Sequence, residues 1–94
     1  GIFCYNDIYA RDFYRAVQNL GLSIPGDYSV VSTDNTVVAS TLEPSLTSIA
    51  HPKTEVGKAA ANAMISIISG KTQWPYKHIF KPSIKERHSC RKLA

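Results

Sequence analysis

The apolar residues of this chain change their period several times, and each change marks an element. Ile2-Phe3-Cys4-Tyr5 is a short unbroken apolar run, as expected of a buried strand. At Asn6-Asp7 it gives way to Ala10, Phe13, Tyr14, Val17 and Leu20, which recur at helical spacing. Asn6 or Asp7 can cap that helix, because a short side-chain oxygen satisfies an orphan backbone N–H there. Gly21 is placed just beyond the helix end, free to take positive φ. Pro25-Gly26-Asp27 is a turn, and residues 28–33 form a second strand. A helix of about 13 residues between two strands is a crossover, so these strands should run parallel with a right-handed connection.

Residues 35–45 read as a loop punctuated by Pro44, and Leu46-Thr47-Ser48-Ile49 as a third strand. Pro52 suits the first position of a long helix. Val56, Ala60, Ala63, Met64 and Ile67 form its apolar stripe, Gly70 ends it, and Ala59-Ala60-Ala61 permits close packing on a sheet. Residues 78–81 and 83–86 read as short strands separated by Pro82. The alternation of strands and helices makes the fold class α/β. The chain opens in mid-strand without an initiator Met, and its 94 residues read as a fragment of a longer protein.

Composition narrows the class. Hydrophobic residues make up 44% of the chain, too many for disorder. Cys4 and Cys90 lie far apart, one in a buried strand and one in a polar tail, which argues for a reduced, cytoplasmic chain. No apolar stretch approaches the roughly 18 residues of a membrane span, and no signal peptide is visible. The net charge of +4 is uneven: residues 1–76 carry −1 and residues 77–94 carry +5. A basic tail is either a solvated terminus, the simpler reading, or a nucleic-acid contact.

Candidate chemistry gathers at the ends of the strands. Asn6-Asp7 closes the first and Ser32-Thr33-Asp34-Asn35 the second. In open α/β sheets the carboxyl edge is where ligands bind. Asn6 offers a donor and an acceptor, which suits a pair of sugar hydroxyls or a plain helix cap. Asp34 can accept two hydroxyls of a polyol, or it can be an Asx-turn residue. His51 can reach a ligand or be an ordinary satisfied histidine. Tyr5 is a core aromatic or a stacking wall for a sugar face. Cys4, His51 and Asp34 have the residue types of a nucleophilic set, but a thiol inside an apolar strand stays protonated and inert. His51, His78 and His88 lack metal-ligand spacing, and no phosphate-cradling glycine pattern occurs, so neither a metal nor a cofactor is expected.

Several blocks taken together resemble a known family. Cys4-Tyr5-Asn6-Asp7, Gly21-Leu22-Ser23-Ile24-Pro25-Gly26-Asp27-Tyr28-Ser29-Val30-Val31, Asp34, Leu46-Thr47-Ser48-Ile49, Gly57 and Glu86-Arg87-His88-Ser89 follow one another in family order. Over residues 2–90 the chain resembles the carboxyl-terminal part of the effector-binding domain of LacI/GalR-type repressors. Ile49-Ala50-His51-Pro52-Lys53 most resembles the arabinose repressors that join a GntR-type DNA-binding head to such a sensor.

The resemblance implies part of a two-lobed, periplasmic-binding-protein-like fold with parallel sheets flanked by helices. Residues 1–50 would lie mainly in one lobe, 51–82 would give a helix and strand of the other, and 83–94 would cross back and form the tail. Asn6, Asp34 and His51, with Tyr5, would contact a small sugar effector, a pentose such as L-arabinose. Ile8, Tyr9, Thr36 and Val37 would lie at or near a homodimer interface. Operator DNA would be bound by a head absent from this chain. The family usually has Gly, an aromatic and two Asp residues where this chain has Ser32, Thr33, Asp34 and Asn35, so one wall of a sugar site is altered. The rival readings are a sugar-binding protein of a transport system with the same fold, a hydrolase using Cys4, and a small nucleic-acid binder using the tail.

Overall fold

β1 (Ile2–Phe3), β2 (Val30–Thr33) and β3 (Thr47–Ala50) run parallel, and β4 (Ser83–Lys85) runs antiparallel beside β3, giving one sheet in the order β1-β2-β3-β4. The computed structural model describes residues 1–93. It divides into two units, residues 1–50 with 83–93, and residues 51–82.

In the first unit α1 (Asp7–Asn19) provides the crossover between β1 and β2. Asn6 is its N-cap, accepting the Tyr9 N–H on Oδ1 at 3.0 Å. Gly21, at φ 74°, follows the C-cap Leu20 as expected. The helix buries Ala10, Tyr14 and Val17. Ala10 and Tyr14 join Cys4, Val30, Ala39 and Leu46 in a core flanked by Ile2, Phe13, Ile24 and Leu42. Burial of this helical stripe against the sheet stabilises α1 in the unit.

Three expectations about elements are corrected. The segment expected to be a loop contains α2 (Val37–Thr41), a short helix held by the burial of Ala39. Residues 78–81 form no strand. A strand exists only through its ladder, and the second unit offers no other strand among the described residues. That unit consists of α3 (Lys53–Ile68) and the chain that follows. Pro52 stands at the N-cap of α3 rather than at its first turn, and Gly70 follows the C-cap Ser69 at φ 74°. No residue of α3 is fully buried.

The basic tail is also more than a solvated terminus. Ser89 is fully buried, donating to the Val30 carbonyl at 2.5 Å and accepting the Thr47 N–H at 2.8 Å. Arg91 donates from Nε to the carbonyls of Pro25 and Gly26 at 3.1 and 3.0 Å. These bonds stitch the tail onto β2, β3 and the turn before β2.

Candidate functional site

Because β1 and β2 are parallel, the chain segments that leave them emerge at one edge of the sheet. Tyr5, Asn6 and Asp34 all lie there. Thr33 ties the two segments together, its hydroxyl donating to the Tyr5 carbonyl at 2.7 Å. Asn6 is half-buried, with Oδ1 engaged as the helix cap and its amide N–H groups making no bond among the described residues. Tyr5 is 78% exposed, so its place is not in the core. Its ring meets that of Tyr9 edge to face, with centroids 6.0 Å apart.

Asp34 and Asn35 both adopt positive φ, 99° and 48°. Asp and Asn are among the few side chains that tolerate this region, because their short polar groups bond locally. The Asp34 N–H donates to the Ile49 carbonyl at 2.9 Å, and the Asn35 N–H to Ser48 Oγ at 3.0 Å. His51 follows β3 and begins the second unit, where it is exposed and its carbonyl accepts the Lys53 N–H at 2.8 Å. Of the four sugar-site candidates, the first unit therefore brings together Tyr5, Asn6 and Asp34.

The residue that organises this edge is Asp7, which sequence reasoning treated only as a possible cap. Asp7 as a whole is 1% exposed. Oδ1 accepts the hydroxyls of Ser32 and of Ser48, the latter at 2.8 Å. Oδ2 accepts the Thr36 N–H at 2.6 Å and the Thr36 hydroxyl at 2.8 Å. Burial pushes the Asp7 pKa upward, but the donors Ser32, Thr36 and Ser48 together outweigh it and hold the carboxyl below its ordinary value. A buried carboxylate is tolerable only when its lone pairs are filled in this way. A signal was present in the sequence: Ser32 and Ser48 are polar residues inside buried strands, and such hydroxyls need a partner.

Ile8, Tyr9 and Val37 are exposed, at 43%, 60% and 78%, whereas Thr36 is half-buried and spent on Asp7. The Cys4 thiol is buried, and burial pushes its pKa up, the direction that disfavours a nucleophile. Among the described residues no three His, Cys, Asp or Glu side chains gather as a metal site. Among the described residues no helix is long and apolar enough to cross a membrane. An open cleft lies in each unit. That of the first, about 350 Å³, is lined by Arg11, Tyr14, Arg15, Gln18, Thr41, Leu42 and Glu43, away from the sheet edge. That of the second, about 240 Å³, lies between α3 and Tyr76, His78 and Phe80.

A family model described as a periplasmic binding protein-like domain matches residues 1–90. The chain belongs to that family. Its structural neighbours include LacI family transcriptional regulators and its curated relatives are transcriptional repressors, in agreement with the resemblance carried by the sequence blocks. This periplasmic-binding-protein-like chain is 35% identical over 92 residues to the HTH-type transcriptional repressor PurR of Vibrio campbellii, covering 98% of this chain and 28% of the repressor. It is 35% identical over 91 residues to the arabinose metabolism transcriptional repressor of Geobacillus stearothermophilus, covering 96% of this chain and 25% of that protein. The chain thus spans about a quarter of the length of these curated relatives. Among solved structures, a LacI family regulator from Enterococcus faecalis with bound ribose superposes with a TM-score of 0.91 at 31% identity, over 100% of this chain and 35% of that one. A regulator from Alkaliphilus metalliredigens complexed with D-xylulofuranose gives a TM-score of 0.89 at 32% identity, over 98% and 35% of the two chains. A CelR–cellobiose complex gives a TM-score of 0.89 at 28% identity, over 93% and 27%.

Proposed function

We propose that this chain is the effector-sensing part of a bacterial transcriptional repressor that binds a small sugar, a pentose such as L-arabinose, and through it controls DNA binding. The observation that carries the reading is the Asp34 carboxylate, set on a held turn at the same carboxyl edge of a parallel sheet as Asn6. A carboxylate and an amide on one edge accept and donate, which matches vicinal sugar hydroxyls. The ribose and xylulofuranose bound by similar regulators, and the arabinose in a relative's name, support a pentose.

In this reading Asp34 accepts two hydroxyls, the free amide group of Asn6 and the imidazole of His51 add hydrogen bonds, and Tyr5 offers an aromatic face in place of the one absent at Thr33. Residues 1–50 lie mainly in one lobe of the sensor, residues 51–82 belong to the other, and the chain from Ser83 to Leu93 crosses back. The protein works as a cytoplasmic homodimer through Ile8, Tyr9, Thr36 and Val37 and binds operator DNA through a separate head. It is a sensor and performs no reaction. Control is linkage: the sugar favours one arrangement of the protein by as much as it binds that arrangement better, and DNA favours the other.

Calorimetric titration of the intact protein with L-arabinose, D-ribose, D-xylulose and cellobiose tests this. Saturable binding of a pentose supports the reading. Binding of cellobiose alone removes the pentose, and no heat with any of the four removes the sugar.

A further inference from the structure

Two successive left-handed residues, neither of them glycine, persist only where their surroundings hold them. The Asp34 and Asn35 N–H groups are held by the Ile49 carbonyl and Ser48 Oγ of β3, and the N–H of the next residue, Thr36, by the Asp7 carboxylate. The Asn35 side chain is held from elsewhere. Arg87, in the segment after β4, donates from Nη2 to Asn35 Oδ1 at 2.6 Å and from Nη1 to the Leu46 carbonyl at 2.7 Å. Its own backbone N–H donates to Thr47 Oγ1 at 2.9 Å.

A guanidinium is planar, and its two Nη groups diverge at a fixed angle. Bracing one of them on a main-chain carbonyl beside β3 therefore fixes where the other points. Both acceptors are neutral, and among the described residues no carboxylate pairs with Arg87. The contact is directional, a fork laid across the start of β3 and the turn, rather than a simple attraction between charges. A lysine ammonium, as a single point, could not make both bonds in the same way.

We propose that Arg87 is the positioning residue of the Asp34–Asn35 turn. Braced on Leu46, it holds Asn35 in its left-handed conformation and so fixes the direction in which the adjoining Asp34 carboxylate is presented. It does not itself touch the effector. The proposal rests on the sensor reading only for what the turn binds.

The test uses the intact protein as wild type, Arg87→Lys, Arg87→Gln, Asn35→Gly and the double variant Arg87→Gln/Asn35→Gly. Glycine removes the acceptor while keeping the left-handed backbone accessible. Two quantities are read: amide hydrogen exchange over residues 33–37, and affinity for L-arabinose and D-ribose. Both Arg87 variants should raise exchange at Asn35 and Thr36 by about tenfold or more, with the amides of α1 still protected, and should weaken sugar binding by a similar factor. The double variant should be no worse than Arg87→Gln alone, because both changes remove one contact. Unchanged exchange at Asn35 and Thr36 in Arg87→Gln overturns the proposal. So does full retention of both properties by Arg87→Lys, or a double variant whose losses multiply. Should Arg87→Gln not fold, Arg87→Lys and Asn35→Gly decide by the same exchange reading. If the wild type takes neither sugar, the sugar reading falls, while the exchange comparison still decides the role of Arg87.

Discussion

The Asp7 carboxylate accepts both the backbone N–H and the hydroxyl of Thr36, at 2.6 and 2.8 Å, so the first residue of α1 grips the far end of the turn that carries Asp34. Asn6, one residue earlier, caps the same helix and is itself a candidate contact to sugar. The helix start and the second strand's polar end are therefore one unit of structure.

Replacing Asp7 should show this in stability. Asp7→Ala strands the hydroxyls of Ser32 and Ser48 and the Thr36 N–H, and should cost about 2–4 kcal/mol. Asp7→Asn keeps the shape but turns one of the two acceptor oxygens into an NH2 donor facing donors, and should cost nearly as much. Urea unfolding of the intact protein measures both. A loss under about 0.5 kcal/mol, the range of an ordinary surface change, would contradict the hub role.

The same carboxylate sets an acid limit. Its folded pKa lies below the ordinary value, so the folded state binds that proton less readily than the unfolded chain. The resulting stability is complete above the unfolded pKa of about 3.9 and is lost as pH falls from there through the folded value. Wild-type stability should fall more steeply below about pH 4 than that of Asp7→Asn. Parallel curves would assign acid sensitivity to other groups.

Tyr14 sets an alkaline counterpart. It is 2% exposed and donates to the Pro44 carbonyl at 2.8 Å, and burial pushes its pKa up to about 12. Here the folded value is raised, so its contribution is present below the unfolded pKa of about 10 and is lost as pH rises from there. Tyr14→Phe should cost about 1 kcal/mol at neutral pH and should flatten the fall between about pH 10 and 12. Thermal melts across that range give the answer, and an unaltered alkaline slope in the variant would count against Tyr14.

Asn6 permits its two roles to be separated. Asn6→Asp retains a good capping oxygen, so stability should stay within about 0.5 kcal/mol of wild type. It removes the amide donor, so sugar affinity should drop by about 1 kcal/mol or more. Loss of stability without loss of affinity would leave Asn6 as a cap alone.

Asp34→Ala should weaken sugar binding by about 2–4 kcal/mol, because it deletes a charged acceptor of two hydroxyls. Titration calorimetry with whichever pentose the wild type takes reads this directly. Undiminished affinity would remove Asp34 from the site.

What could be read from sequence followed the range of the interactions. The α1 boundaries were legible because an N-cap at Asn6 and a positive-φ glycine at Gly21 act over a few residues. The parallel pairing of β1 with β2 was legible because a helix between strands leaves little choice. Helix α2 was not, since Val37–Thr41 has no helical stripe and gains its place by burying Ala39 in a core built from distant residues. Residues 78–81 have strand-like composition, but a ladder needs a second strand. At the site, Asn6, Asp34 and Tyr5 stood out as polar or aromatic punctuation at strand ends. Asp7 and Arg87 did not, because their partners lie 25 to 52 residues away in sequence. Their roles depend on register, which no local pattern encodes.

The pairing of Ala50 with Ser83 across antiparallel β3 and β4 has an architectural consequence. The chain departs for residues 51–82 from one rung of a ladder and re-enters on the strand opposite the same rung. Topologically, that whole segment is the loop of a β-hairpin, grown long. Two adjacent antiparallel strands need only a two-residue turn to join them. The first unit thus has a natural seam at which residues 51–82 can be shortened, exchanged or recombined as a cassette, with the strand order, the Asp7 hub and the Arg87 fork left in place.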